Sequence, residues 1–204
     1  VSEITVNGTE IFANGNAIII AKGPTSGKTF IYLDTNSNGV IDSGDIGKDL
    51  VTPPGDPISG YDLSGYTIYG GGYLQSSSST KIAMLGGNVD LIYGSGYFGK
   101  VTGDTNVTIK GGTATAVYGG GEHGNVDGNT NVTLSSCTIK HVFGGGWCST
   151  VTGNTNVTLS GVNITDVIGG GNGGDVNGNT NVTIGSSNAR FVFGGGDFGN
   201  VGKD

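Results

Sequence analysis

The stretch Gly128–Thr133, GNTNVT, occurs again at Gly153–Thr158 and Gly178–Thr183, and a near-copy, GDTNVT, occupies Gly103–Thr108. Successive copies start 25 residues apart, without an insertion or a deletion between them. Each copy is followed by a variable middle, then by V-[YFI]-G-G-G, and then by a glycine-rich stretch that ends in valine. A fixed period of this kind is the signature of a repeat protein, in which each unit packs against the next.

The repeat is regular near the end of the chain and degenerate before that. The regular units span 103–127, 128–152, 153–177 and 178–204, and two earlier units are marked by Ile68–Gly72 (IYGGG) and Ile92–Gly96 (IYGSG). The pattern therefore divides the chain into a non-repeating segment, 1–60, and an array of about six units, 61–204.

Inside each copy, apolar and polar residues alternate with the period of a β-strand. Val132 and Leu134 fall on one side of an extended strand, and Asn131 and Thr133 fall on the other. A unit of 25 residues with no helical period is close to one coil of a parallel β-helix, in which equivalent residues of successive coils stack about 4.8 Å apart. We therefore expect an all-β chain that forms a parallel β-helix (β-solenoid), right-handed because crossover connections are. A β-sandwich of tandem hairpins is the alternative.

The apolar side of the repeated strands supplies the expected core. Five apolar positions recur in each coil, and each buried side chain stabilises the fold by about 1–3 kcal/mol. The glycine triplets fall where the chain must turn a corner, and we expect positive φ to require glycine there. The expected inward columns are Val107/Val132/Val157/Val182, Ile109/Leu134/Leu159/Ile184, Ala114/Ile139/Ile164/Ala189, Val117/Val142/Val167/Val192 and Val101/Val126/Val151/Val176/Val201.

Composition excludes several classes of protein. The 43 glycines among 204 residues follow no Gly-X-Y period, which excludes collagen. The net charge of −7 argues against a nucleic-acid partner, because phosphate binding needs clustered Lys and Arg. No apolar run reaches the roughly 18–20 residues of a membrane span. Cys137 and Cys148 do not make a disulfide framework, and we expect them to be unpaired, with a single bridge as the alternative.

The segment 1–60 is expected to cover one end of the solenoid as an N-terminal β cap. Its runs VSEITVNGTEIF, NAIIIAKG and KTFIYLD look like three strands joined by turn-forming residues. Gly23–Thr29, GPTSGKT, resembles a phosphate-binding loop but is one residue short, and a strand follows where that loop requires a helix. We therefore predict a hairpin turn at that position.

Asp34–Asp45, DTNSNGVIDSGD, has the residue spacing of a calcium-binding loop. Ca²⁺ takes about six to eight oxygen ligands, and a twelve-residue loop supplies them from alternating positions around a glycine at the sharp turn. The stretch resembles an EF-hand-type loop of the dockerin kind, which implies a structural Ca²⁺ ion that fastens the cap to the solenoid. A plain Asn/Asp/Gly turn is the alternative. The implied ligands are Asp34, Asn36, Asn38, Val40 (through its backbone carbonyl), Asp42 and Asp45.

The polar side of the repeated strands presents two outward columns. Such a regular array could bind ice or a repeating glycan, while side chains that hydrogen-bond up and down the stack are the structural alternative. The same residues form N-x-T sequons, but glycans about 4.8 Å apart could not all fit, which favours a bacterial source without glycosylation. The candidate ligand-face residues are Asn106, Thr108, Asn131, Thr133, Asn156, Thr158, Asn181 and Thr183.

Charged and aromatic residues near the glycine triplets raise the question of an enzyme. Paired carboxylates at glycosidase spacing cannot be identified, so we expect surface charge rather than an active site. The aromatic side chains are expected to be exposed, where they hold sugar rings or cover the corner glycines. The charged residues are Lys140, His141, Asp166 and Arg190, and the aromatic ones are Tyr69, Tyr93, Tyr118, Phe143, Phe193 and Trp147.

The tandem VYGGG…GNTNVT pattern over 61–204 resembles the repeats of large bacterial cell-surface proteins that have adhesin-like β-solenoid regions. The resemblance implies an extracellular, non-enzymatic segment that is structural or adhesive and whose partner is carbohydrate or another host- or cell-surface ligand. A polysaccharide lyase-like enzyme and an ice-binding solenoid are the alternatives. Because the last unit stops in mid-phrase, we expect a truncated C-terminal end, with end-to-end association through an uncapped coil as the alternative.

Overall fold

The computed structural model of the chain describes residues 4–22, 29–48 and 63–202 and shows a mostly parallel β-solenoid of about five turns. Every regular element of the described residues is a short strand. The strands are β1 (Thr5–Asn7), β2 (Glu10–Phe12), β3 (Ala17–Lys22), β4 (Thr29–Leu33), β5 (Ile46–Lys48), β6 (Thr67–Tyr69), β7 (Thr80–Met84), β8 (Leu91–Tyr93), β9 (Thr105–Ile109), β10 (Thr113–Tyr118), β11 (Thr130–Ser135), β12 (Thr138–Phe143), β13 (Thr155–Ser160), β14 (Asn163–Ile168), β15 (Thr180–Ile184) and β16 (Asn188–Phe193).

Two eight-stranded sheets run along the solenoid. Sheet A contains β1, β2 and the even-numbered strands from β6 to β16, and sheet B contains β3, β4, β5 and the odd-numbered strands from β7 to β15. A third line of contact is a ladder of single bridges that joins Val101, Val126, Val151, Val176 and Val201. Each coil thus passes through sheet B, then sheet A, then this ladder.

Successive coils are in register, so that equivalent residues of neighbouring coils pair with each other. Val132 pairs with Val107 on one side and with Val157 on the other, an offset of 25 residues. The side chains of Val132 and Val142 are at most 1% exposed, in one core between the two sheets. The prediction of a parallel β-helix is therefore confirmed, and its handedness stays a prediction. The predicted columns pair as expected, but Ile184, Val192 and Val201 of the last coil are 37%, 49% and 38% exposed.

The two sheets begin inside the segment that the sequence pattern set apart as a cap. Ile11 of β2 pairs in parallel with Ile68, and Ile18 of β3 pairs in parallel with Ile82. β4 and β5 then extend sheet B as antiparallel strands. From β7 onward the chain makes five turns without interruption. In the turn before them, β3 is the strand of sheet B and β6 is the strand of sheet A, and residues 23–66 separate the two strands in the chain. Apart from Thr29, the predicted turn at Gly23–Thr29 lies outside the described residues.

A buried threonine at the start of each repeated strand holds the glycine corner in place. Thr130 is 0% exposed, and its Oγ1 donates to the carbonyl of Gly144 at 2.5 Å across the interior of the coil. Equivalent bonds join Thr105 to Gly119 and Thr155 to Gly169. This role was not predicted, because a polar residue at an inward position departs from the apolar alternation. The first threonine of TNVT therefore closes each coil from inside.

The expectation that positive φ explains the glycine triplets is wrong. Among the described glycines, positive φ occurs at other places, for example Gly112 and Gly161. The triplets are needed for close approach, since a Cβ on Gly144 would overlap the carbonyl oxygen of Gly169 on the next coil. Neighbouring coils lie too close together here for any residue with a side chain.

Thr130→Val tests the internal hydrogen bond, because valine keeps the shape of threonine and removes its donor. We expect the free energy of unfolding to fall by about 1–3 kcal/mol, since the buried Gly144 carbonyl loses its donor. The control is Thr133→Val on the same strand, where the side chain is exposed and the expected change is within about 0.5 kcal/mol. Urea unfolding measures both variants, and equal losses of stability would show that the bond contributes nothing.

Candidate functional site

The predicted calcium loop, Asp34–Asp45, folds around a buried carboxylate. Asp34 is 4% exposed, and its Oδ1 and Oδ2 accept hydrogen bonds from the backbone N–H groups of Asn38 (3.1 Å) and Gly39 (2.7 Å). Ser37 and Gly39 adopt left-handed conformations, with φ of 55° and 72°. The chain therefore turns tightly around the first ligand position of the predicted loop.

The other two carboxylates close the loop. Asp42 Oδ2 accepts from the side-chain amides of Asn36 (2.7 Å) and Asn38 (3.0 Å). Hydrogen bonds from the Gly44 backbone N–H and from these two amides lower the pKa of Asp42. Asp45 Oδ2 accepts from the backbone N–H of Asp42 at 2.9 Å. The predicted ligand side chains thus lie together, and they hydrogen-bond within the loop.

The oxygen atoms of this loop suit Ca²⁺, which prefers carboxylate, amide and backbone oxygens as ligands. Within the described ranges, no three His, Cys, Asp or Glu side chains could hold an ion by themselves. Oxygens of Asn36, Asn38 and Val40 would have to complete the ligand set. An ion would also replace the two hydrogen bonds from the asparagine amides to Asp42. Ca²⁺ binding stays a prediction.

The loop is docked on the outer face of sheet B. Lys81 Nζ, on β7, donates to the backbone carbonyl of Ser37 at 2.5 Å. A Cβ on Gly39 would lie 3.6 Å from the Cβ of Ala83, so the two backbones are in near contact. The loop therefore already touches the first uninterrupted coil, at the place where a structural ion would fasten it.

The eight candidate ligand-face residues form the two predicted columns on sheet B, and their asparagines bond to one another. Asn131 Nδ2 donates to Asn106 Oδ1 at 3.1 Å, and Asn156 and Asn181 continue the ladder at 2.9 Å each. Such ladders stabilise stacked parallel strands. Thr133 and the equivalent threonines form the other column, which is half-buried at Thr108 and exposed in the later coils. The asparagine column is thus engaged in joining coils.

The expectation that the aromatic residues of sheet A are exposed is wrong for most of them. Tyr69, Tyr93, Tyr118 and Phe143 are 1%, 3%, 4% and 6% exposed, and they stack with Phe12 in one column. Ring centroids along this aromatic ladder are 4.6–5.2 Å apart. The glycine-rich segments fold back over the ladder and carry the side chains that cover it.

A glutamate lies under this cover and bonds to the ladder. Tyr69 donates its hydroxyl to Glu122 Oε2 at 2.5 Å. Burial, and after it the bond to Glu122, raises the pKa of Tyr69. The Tyr69 hydroxyl therefore stays protonated and joins the aromatic ladder to the glycine-rich segment that carries Glu122.

A long open groove, the lateral trough, runs along the outside of the solenoid beside the first halves of the sheet A strands. Its volume is about 910 Å³, and eight hydroxyl or amide residues line it together with five apolar ones. Among the described residues, its charged lining consists of Lys140 and Arg190 and includes no carboxylate. The lining residues are Ser64, Asn88, Val89, Thr113, Ala114, Thr115, Thr138, Ile139, Lys140, Asn163, Ile164, Thr165, Asn188, Ala189 and Arg190.

A bulge in the sheet A strands separates the charged residues that the sequence grouped together. Ala114 and Val117 both face the core, and the N–H groups of the two residues between them, Thr115 and Ala116, donate to one carbonyl, that of Asp90. A bulge of this kind sends adjacent side chains in different directions.

The bulge positions recur one coil later as Lys140 and His141. Lys140 lines the lateral trough, whereas His141 lines a separate pocket together with Asp166. His141 Nδ1 lies 2.5 Å from Asp166 Oδ2. The four charged residues therefore do not share one face, as the grouping in the sequence suggested.

Both cysteines are free thiols, as the composition predicted. Cys148 is exposed and Cys137 is half-buried. Burial raises the pKa of Cys137 to about 11.

No protein-family model, curated protein or solved structure matches the chain. Among the described residues, no helix is long and apolar enough to cross a membrane.

The two thiols should react at different rates with Ellman's reagent. At pH 8 we expect one fast phase from Cys148 and a slow one from Cys137, because a pKa raised to about 11 leaves little of the reactive thiolate. The slow rate should rise about tenfold per pH unit below that pKa. Cys148→Ser should remove the fast phase alone. A single phase of two equivalents in the native protein would contradict this assignment.

Proposed function

We propose that this chain is a rigid structural and adhesive segment of a larger bacterial protein that works outside the cell, and that it binds glycans through the lateral trough. The observation that carries the proposal is the trough itself, a groove lined by hydroxyl and amide groups and spanning coil after coil. Linear glycans are rich in hydroxyl groups, and a shallow groove of this chemistry complements them along its whole length.

The length of the trough suits several sugar units. Its outer column runs from Asn88 to Asn188 through four inter-strand steps, which is about 19 Å at about 4.8 Å per step. Thr113 and Thr138 in this column are exposed, and their hydroxyls face outward. A binding surface of this form grows with each added coil, which is useful in a segment that holds onto a polymer.

Charge favours acidic glycans over neutral ones. Lys140 and Arg190 lie on equivalent positions two coils apart, which is about 10 Å. Both side chains are exposed, and within the described ranges no carboxylate lines the trough. In a chain of net charge −7, this strip is a local exception that can attract anionic groups.

The geometry supports binding better than catalysis. A lyase-like site would need its basic residues and its acid on one substrate face. Lys140 and Arg190 line the trough, but Asp166 and His141 line the separate pocket on the other side of the bulge. The Asn ladder and the buried threonine bonds instead make a stiff scaffold that holds a binding strip straight.

A glycan array followed by calorimetry tests this function. We expect acidic oligosaccharides of four or more units to bind, and Lys140→Gln with Arg190→Gln to weaken binding by about tenfold or more, because hydrogen bonds from charged groups contribute about 1.5–3 kcal/mol. Lys110→Gln, which removes an exposed charge outside the trough, is the matched control. An array without hits would contradict the proposal, and binding that Lys110→Gln weakens equally would place the site elsewhere.

We also propose that the loop Asp34–Asp45 holds a structural Ca²⁺ ion. The buried Asp34, the convergence of Asn36, Asn38 and Asp42, and the contact with Lys81 of sheet B support this proposal. The ion would neutralise the carboxylates and stiffen the junction between the N-terminal strands and the first coil.

Chelation tests the calcium proposal. EDTA should lower the melting temperature, and added Ca²⁺ should restore it, because an ion that binds the folded chain alone stabilises it. Asp42→Asn should abolish the response to Ca²⁺, whereas Asp127→Asn, which changes an exposed carboxylate far from the loop, should leave it intact. Identical melting with and without EDTA, and no heat of Ca²⁺ binding, would remove the ion from the description.

A further inference from the structure

The aromatic ladder of sheet A is interrupted in one coil. Equivalent positions in successive coils hold Phe12, Tyr69, Tyr93, Tyr118, Phe143, Ile168 and Phe193. The residue that follows the glycine triplet also becomes smaller in this coil, from Trp147 in the preceding coil to Asn172. These covering positions hold Tyr73, Tyr97, Glu122, Trp147, Asn172 and Asp197.

The two smaller residues, Ile168 and Asn172, leave a pocket where the other coils are filled. This aromatic pocket has a volume of about 470 Å³, within the range of sites that hold small molecules. It is defined by Tyr118, His141, Phe143, Trp147, Asp166, Ile168, Asn172, Phe191, Phe193 and Asp197. Among the described coils, this is the one whose ladder residue is not aromatic, so the combination of Ile168 and Asn172 distinguishes it from its neighbours.

The described residues of the lining combine aromatic rings with carboxylates and include no lysine or arginine. Trp147 and Phe193 are 43% and 52% exposed, so a ligand from solvent can reach their rings. Asp166 is half-buried, with its Oδ2 2.5 Å from His141 Nδ1, and Asp197 is exposed. The pocket therefore offers ring faces and negative charge together.

Aromatic rings and carboxylates around this pocket suit a positively charged group. Burial first, and then the carboxylates of Glu122 and Asp197, raise the pKa of Tyr118, which lines the pocket. The guanidinium carbon of Arg190 already lies 5.1 Å from the ring centroid of Phe191, one of the rings that line the pocket. Cations within about 6 Å of an aromatic ring are attracted by its quadrupole.

We propose that the aromatic pocket binds an organic ammonium group, such as the trimethylammonium head of choline. The ring faces of Phe143, Phe193 and Trp147 would contact the methyl groups, and Asp166 and Asp197 would balance the charge. Lipid headgroups, teichoic-acid substituents and methylated lysines all present this same chemistry. This site is independent of the lateral trough, which complements negative charge instead.

Paired ligands of the same shape test the proposal on the intact chain. Choline and its uncharged isostere 3,3-dimethylbutan-1-ol differ in charge alone, and binding of each is followed by Trp fluorescence and calorimetry. We expect choline to bind at least tenfold more tightly than the isostere. Asp197→Asn should weaken choline binding several-fold, whereas Asp127→Asn, an exposed carboxylate outside the pocket, should not.

A variant that fills the pocket keeps the test independent of aromatic packing. Asn172→Trp restores the bulky covering residue of the preceding coil, Trp147, and should abolish choline binding with the fold retained by circular dichroism. Equal affinity for the charged and uncharged probes, or choline binding that survives Asn172→Trp, would overturn the proposal. Preference for neutral sugars over choline, or no binding of choline at millimolar concentration, would overturn it as well.

Discussion

Each regular coil returns to its starting point after 25 residues, so that equivalent residues of neighbouring coils meet and form the contacts between coils. The valine columns, the asparagine ladder and the close approach of the glycine corners all depend on this register. At Gly144 the tolerance is small, since the carbonyl of Gly169 leaves no space for a side chain. The one-residue difference in length between the β6–β8 step and the β7–β9 step lies in the turn between Ser77 and Thr80, so the strands themselves stay in register.

The same register decides where binding sites can lie. An outward residue that recurs in every coil forms a column whose members are about 4.8 Å apart. A groove beside such columns therefore extends over several coils, as the lateral trough does. A site for a small ligand needs the opposite, a coil that departs from its neighbours. Ile168 and Asn172 are such a departure, and the aromatic pocket lies there. Regular columns thus suit polymers, and local irregularities suit single groups.

Much of the fold could be predicted from the sequence, because the period and the alternation of Val132 and Leu134 report directly on strand and register. The buried role of Thr130 could not, since its partner, Gly144, is joined to it across the interior of the coil. The bulge directs Lys140 to the lateral trough and His141 to the aromatic pocket. It adds one residue to a strand whose inward and outward residues otherwise alternate. The cover over the aromatic ladder is also non-local, because glycine-rich segments carry no pattern that shows where they fold back.

Stacking of the coils in register is the central claim, and distances between spin labels test it most directly. With Cys137 and Cys148 replaced by serine, pairs of labels would be placed at Thr108 and, in turn, at Thr133, Thr158 and Thr183, all on the outer face of sheet B. The structure predicts that the distance rises by about 4.8 Å with each additional coil, although each step adds 25 residues of chain. Distances that grow unevenly, or that spread broadly as in a flexible chain, would contradict the stacked solenoid.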